Sequence, residues 1–139
     1  MNKKLILGSL LAAVALSGCS YPHQEKLPPE RLQQHPYELV SIDGAPIASQ
    51  SSRRPTLEFS EKMHVSGAMC NRFMGQGQLD NDRLFVRQMA STRMLCADSQ
   101  LNVGDRLIAE MLQNGAKVSL HGKQLILREG EHELVYRAK

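Results

Sequence analysis

Residues 117–137 read KVSLHGKQLILREGEHELVYR. Three short apolar-rich runs, Lys117 to Leu120, Lys123 to Leu127 and His132 to Arg137, are separated by His121-Gly122 and Glu129-Gly130. Gly at a two-residue break supplies the backbone freedom that a hairpin turn needs. Parallel strands need a crossover of a dozen or more residues, and none fits between these runs. The carboxyl end is therefore expected to be an antiparallel meander.

The same short period recurs upstream. Tyr37 to Ile42, Thr56 to Phe59 and Met63 to Val65 alternate, with Asp43-Gly44-Ala45-Pro46 and Ser60-Glu61-Lys62 as breaks. Gly75 to Leu79 and Arg83 to Met89 flank Asp80-Asn81-Asp82 and read as a hairpin. One segment departs from the pattern. Leu101, Gly104, Leu107, Ile108, Met111 and Leu112 share one helical face, with Asp98 or Ser99 as a cap and Asn114-Gly115 as a stop, so a helix is expected over about 99–113. Gly104 on the apolar face permits close approach to the sheet, at about 1 kcal/mol relative to Ala. The expected class is mainly β (α+β): a curled antiparallel sheet or partly open β-barrel of about eight short strands, its gap or mouth covered by the helix.

The amino end carries a different signal. Met1-Asn2-Lys3-Lys4 is a short positive region, followed by an uncharged, largely apolar run from Leu5 to Gly18. The run falls short of the roughly 20 residues that span a bilayer, and it reads as a secretion signal over 1–18. Leu16-Ser17-Gly18-Cys19 resembles a bacterial lipobox, which implies lipidation of the Cys19 thiol and cleavage just before it. Several acyl chains make such an anchor effectively permanent, because each buried methylene contributes about 0.8 kcal/mol. Ser20, where inner-membrane lipoproteins typically carry Asp, implies sorting to the outer membrane, with the domain facing the periplasm. Residues 19–36 contain Pro22, Pro28, Pro29 and Pro36 and read as a linker, within which Pro29-Glu30-Arg31-Leu32 suits a short helix. The folded domain is expected over 37–139.

Loss of Lys3 and Lys4 with the leader leaves 15 of the 17 Lys and Arg against 14 Asp and Glu, nearly neutral. No basic run suggests nucleic acid, and a monomer is expected. With Cys19 taken by lipid, Cys70 and Cys96 remain in an oxidising compartment, which favours a disulfide over two buried thiols or one reactive thiol.

Gly67-Ala68-Met69-Cys70-Asn71-Arg72-Phe73, then Gly75 and Leu84, and finally Met89-Ala90-Ser91-Thr92-Arg93-Met94-Leu95-Cys96 ahead of the helix, closely resemble the META/HslJ family. The resemblance runs from about Tyr37 to the last strand and extends to the lipobox. It implies an antiparallel barrel-like sheet with one helix, similar to small secretion pilot lipoproteins that bind a partner peptide or lipid. It also implies a part in stress, envelope integrity and, in some members, secretion or motility, without established catalytic residues. Read physically, Gly67 suits a bend or close strand contact, and Asn71 and Thr92 suit open backbone groups where strands part. Met69, Phe73, Met89 and Met94 read as core fillers, and Asn71 with Arg72 as the finish of a strand.

Other chemistry is poorly supplied. His23, His35, His64, His121 and His132 are scattered singly, with no HExxH or CxxC, so neither a Cys–His nucleophile nor a zinc site is expected. The six methionines that follow the leader form no short repeat, and core packing accounts for them better than soft copper ligation. The sequence therefore predicts a non-enzymatic, lipid-anchored protein without cofactor that binds a hydrophobic or peptide ligand during envelope or heat stress. The alternative is a pilot-like or inhibitory partner protein for a secretion or envelope component.

Overall fold

The computed structural model describes residues 26–48 and 54–139. The leader 1–18, the lipidation site Cys19 and the first part of the linker lie outside the described residues.

A short helix, α1 (Pro29–Leu32), precedes strands β1 (Tyr37–Ile42), β2 (Ala45–Pro46), β3 (Thr56–Phe59), β4 (His64–Ala68), β5 (Arg72–Asp80) and β6 (Arg83–Ser91). Helix α2 (Ser99–Asn114) follows, then β7 (Ala116–His121), β8 (Gln124–Glu129) and β9 (His132–Ala138). The sheet order is β2-β1-β3-β4-β5-β6-β7-β8-β9, and β1 also pairs with β9. Eight antiparallel strands therefore close into a barrel, with β2 as an appendage on β1. The expected strand count and the single long helix are observed, but the sheet closes on itself more fully than a curled sheet would.

The closure is thin at one seam. β6 pairs with β7 only through Arg83–Lys117 and Leu84–Ala116, so most of β6, though paired with β5, has no strand partner on its other side. The buried face of α2 covers that side, with Leu101, Gly104, Leu107, Ile108, Met111 and Leu112 turned inward, the same face that the sequence period marks. Asp98 caps the helix by accepting from Gln100 N at 2.9 Å.

Inside the barrel, alternate residues from the strands build the core. Leu39, Leu57, Val65, Leu84, Leu125, Leu127, Leu134 and Tyr136 are fully buried. The Tyr136 hydroxyl has no protein hydrogen-bond partner among the described residues, and burial pushes its ionisation well above the usual phenol range. Leu32 of α1, within the stretch expected as linker, is also fully buried. Nearby, Leu27 N donates to Asp82 Oδ1 at 2.8 Å and Gln33 Nε2 to Glu61 O at 3.0 Å. These bonds hold α1 across the barrel end that carries the β3–β4 and β5–β6 turns. α2 meets the β4–β5 turn at the other end. The β5–β6 turn is tight, with Asn81 and Asp82 at φ 49° and 63°, and a bulge interrupts β6 at Gln88, φ 52°.

Candidate functional site

Met69, Cys70 and Asn71 form the short connection between β4 and β5, and Met69 N donates to Asn71 O at 2.9 Å. The stretch around Cys70 is thus a turn, and Asn71 and Arg72 open a strand where the sequence suggested that they finish one. The reason lies in α2. Asp105 projects from the helix and its Oδ1 accepts from both Cys70 N and Asn71 N at 2.9 Å, taking two donors that a strand ladder would otherwise need. Asp105 Oδ2 accepts from Asn71 Nδ2 at 2.6 Å.

Asn71 then reaches across to the segment between β6 and α2. Its Oδ1 accepts from Met94 N at 2.6 Å and from Thr92 Oγ1 at 2.9 Å, and its Nδ2 donates to Met94 O at 2.9 Å. Thr92 Oγ1 in turn accepts from Arg72 N at 3.1 Å. Both side chains occupy open backbone groups where β5 and β6 part, as the sequence suggested. Cys70 and Cys96 are joined by a disulfide that ties the turn to the segment just before α2.

The close packing here depends on two glycines. A side chain at Gly67 would collide with Thr56 O on β3 and the ring of Phe73 on β5, so β3, β4 and β5 can come together only with glycine there. At Gly104 a Cβ would lie 2.7 Å from Met69 Sδ and 3.0 Å from Ile42 Cδ1, which fixes how closely α2 seats on the turn.

Beside this frame opens a cleft of about 1060 Å³. Gly67, Cys70, Arg72, Phe73, Thr92, Met94 and Cys96 line it, together with residues of β1, β3 and the chain end. Ala68, Met74 and Met94 give it an apolar surface, and Met74 and Met94 are 52% and 63% exposed. Arg54, Arg72, Glu58 and the pair Lys139–Glu38, at 3.1 Å, supply charge around it. Arg54, Arg72 and Glu58 make no ion pair among the described residues.

Residues 30–139 match the model of the META domain. The chain belongs to the META domain family. The Heat shock protein HslJ of Escherichia coli (strain K12) is 40% identical over 134 residues, covering 96% of this chain and 95% of that protein. A protein solved by NMR at 45% identity superposes with a TM-score of 0.75, over 81% of this chain and 95% of its own. Another NMR structure, from Burkholderia xenovorans, is 21% identical with a TM-score of 0.61 over 86% of this chain and 97% of its own, and shares the fold.

The META domain of this chain thus gathers most of the residues singled out in its sequence. Phe73 and Met69 are buried, and Met89 is partly buried against the core. Gly75 packs opposite the β6 bulge, against Val86 and Arg87, and Ala90 pairs with Met74 on the outer surface; neither lines the cleft. Met94 corrects the core reading. The 92–96 segment is held outside the barrel by Asn71 and the disulfide, which leaves the Met94 side chain facing outward.

Asp105 and Asn102 escaped sequence reasoning. Asn102 Oδ1 accepts from Cys96 N at 3.0 Å, and its Nδ2 donates to Cys96 O at 2.8 Å. A short polar residue inside a helix, where Asp and Asn are poor formers, was the available signal. The joined cysteines offer no thiol for nucleophilic chemistry. No cluster of three or more His, Cys, Asp or Glu suited to a metal occurs among the described residues. The arrangement is suited to binding: a rigid frame of backbone and amide bonds beside an exposed thioether surface.

Proposed function

We propose that this META domain is a non-enzymatic, lipid-anchored protein of the cell envelope that binds a hydrophobic or peptide ligand in the cleft during envelope or heat stress. The observation that carries the reading is the placement of exposed Met74 and Met94 in a cleft of about 1060 Å³ beside the Asn71–Asp105 frame. Thioether side chains are flexible and polarisable, so such a surface adapts to apolar ligands of varied shape. The heat shock designation of the 40% identical relative supports the stress context. Anchoring rests on Leu16-Ser17-Gly18-Cys19, and Ser20 favours the outer membrane with the domain on its periplasmic face.

Titration of residues 20–139 with N-phenyl-1-naphthylamine tests the cleft. Saturable fluorescence enhancement is expected, weakened about tenfold by Met74→Glu, since a charge replaces apolar surface worth on the order of 1.5 kcal/mol or more. Absence of saturation, or equal binding by the variant, rejects the reading. The chain extracted from membranes is expected to begin at Cys19 and to carry the added mass of its acyl chains, both lost in Cys19→Ala; a parent chain that keeps residues 1–18 or carries no acyl mass would reject the anchor.

A further inference from the structure

The floor of the cleft is the outer face of β3, β4 and β5, and its side chains stand in two rows. Thr56 lies beside Ala68 and Ala68 beside Arg72; two residues along each strand, Glu58 lies beside Ser66 and Ser66 beside Met74. Leu57, Val65 and Phe73 alternate with them and are buried in the core. Small side chains thus pave the middle of the floor, and longer ones border it.

The backbone beneath is already spent. β4 pairs with β3 through residues 65–68 and with β5 through residues 64–68, so its donors and acceptors are used on both sides. A peptide that binds a sheet does so through free backbone groups at an edge. Laid on this floor, it would lose water from its own amides and find no backbone partner, which is costly. An acyl chain brings no such groups.

Unpaired positive charge gathers at one end of the floor. Arg72 and Arg54, the latter two residues before Thr56, both line the cleft, and neither makes an ion pair among the described residues. Two strand spacings, about 10 Å, separate Thr56 from Arg72, so the two arginines flank this end from opposite sides. Of the cleft carboxylates, Glu38 is taken by Lys139 at 3.1 Å, and Glu58 stands in the other row, with Met74. Guanidinium forks match the oxygens of a carboxylate and carry little water with them.

We propose that the ligand of the cleft is a free single-chain amphiphile with a carboxylate head. The head is held between Arg54 and Arg72, and the chain lies over Ala68 and Ser66 against the thioethers of Met74 and Met94. Glu58 repels the head from the Met74 row and so sets the direction of binding. The inference rests on the cleft reading above and narrows its ligand class.

Calorimetric titration of residues 20–139, which hold all nine strands and both helices, compares decanoate with decanol at neutral pH, below the micellar range. Decanoate is expected to bind about tenfold more tightly, as charge-assisted hydrogen bonds imply, and Arg54→Gln/Arg72→Gln to lose that preference while melting as the parent does. If the double variant does not melt cooperatively, Arg54→Gln alone, outside every strand, takes its place, with an expected loss of about threefold. Equal affinity for decanoate and decanol leaves the apolar cleft standing and overturns the proposal. A preference that the variants leave unaltered puts the acid elsewhere and overturns it, as does tighter binding of a soluble peptide of two leucines and a glutamate. Binding of neither amphiphile rejects the cleft reading and the proposal together.

Discussion

The Asp105 carboxylate accepts twice from Asn71, from its Nδ2 at 2.6 Å and its N at 2.9 Å, and once from the neighbouring Cys70 N at 2.9 Å. Asn71 passes the constraint on through three bonds to Thr92 and Met94. Helix, turn and loop are therefore fixed by one contiguous polar network, which sets the geometry of the cleft wall. A network of this kind is worth most when every member is satisfied, because a partly buried donor left without a partner costs more than a hydrogen bond gains.

Removing the carboxylate should therefore be costly. Asp105→Ala strands Cys70 N, Asn71 N and one donor of Asn71, and at about 1 kcal/mol or more for each the expected loss is about 3 kcal/mol. Asp105→Asn, which keeps one oxygen as acceptor, is expected to lose less. Thermal unfolding of the two variants against the parent checks this. Equal midpoints for Asp105→Ala and the parent would show that the network is not a stabilising one.

The disulfide acts on the same junction by a different route. In the chain-entropy model, a bridge between residues 26 apart stabilises by about 3.5 kcal/mol through the unfolded state. Intact mass of residues 20–139 is expected to show no alkylated thiol before reduction and two afterwards. The Cys70→Ser/Cys96→Ser double variant should melt lower while keeping its fold, because Asn71 and Asn102 still hold the loop. Alkylation of both thiols without reduction would contradict the bridge.

Much of this architecture is legible in residue spacing, and the exceptions share a cause. The strands from Tyr37 to Ile42 and from Thr56 to Phe59 alternate because one face meets the core, and the helix face from Leu101 to Leu112 repeats for the same reason. Barrel closure is not written in any local period, since the pairing of β1 with β9 joins the two ends of the domain. The bulge at Gln88 likewise depends on what β5 places opposite it. Cys70, Asn71, Thr92, Met94 and Cys96 can be marked from sequence, but Asp105, which holds Cys70 and Asn71, sits more than thirty residues from the turn it organises. Met94 shows the limit most plainly: an apolar residue reads as core until a polar bond to its backbone holds it outside.

At the β1–β2 turn a second polar pair makes a pH-dependent contact. His132 Nδ1 lies 2.9 Å from Asp43 Oδ2, while Asp43 Oδ1 accepts from Glu133 N at 2.8 Å. The hydrogen bond to Asp43 is the main cause that raises the His132 pKa above its ordinary 6.5; desolvation opposes it, and the nearby charges of Asp43, Glu129 and Glu110 add to the rise. For Asp43, desolvation works against the charged form, but the bonds from Glu133 and His132 outweigh it and lower the carboxyl below its ordinary 3.8. A raised histidine contributes stability that is complete below 6.5 and lost as pH rises through its folded value. A lowered carboxylate contributes stability that is complete above 3.8 and lost as pH falls through its folded value. The pair is thus at full strength between 3.8 and 6.5. An NMR titration of the His132 ring is expected to give a midpoint above 6.5 in the parent. Asp43→Asn, which keeps the acceptor for Glu133 N, should bring that midpoint down toward 6.5. A parent midpoint at or below 6.5, or one unmoved by Asp43→Asn, would show that the two side chains do not pair in solution.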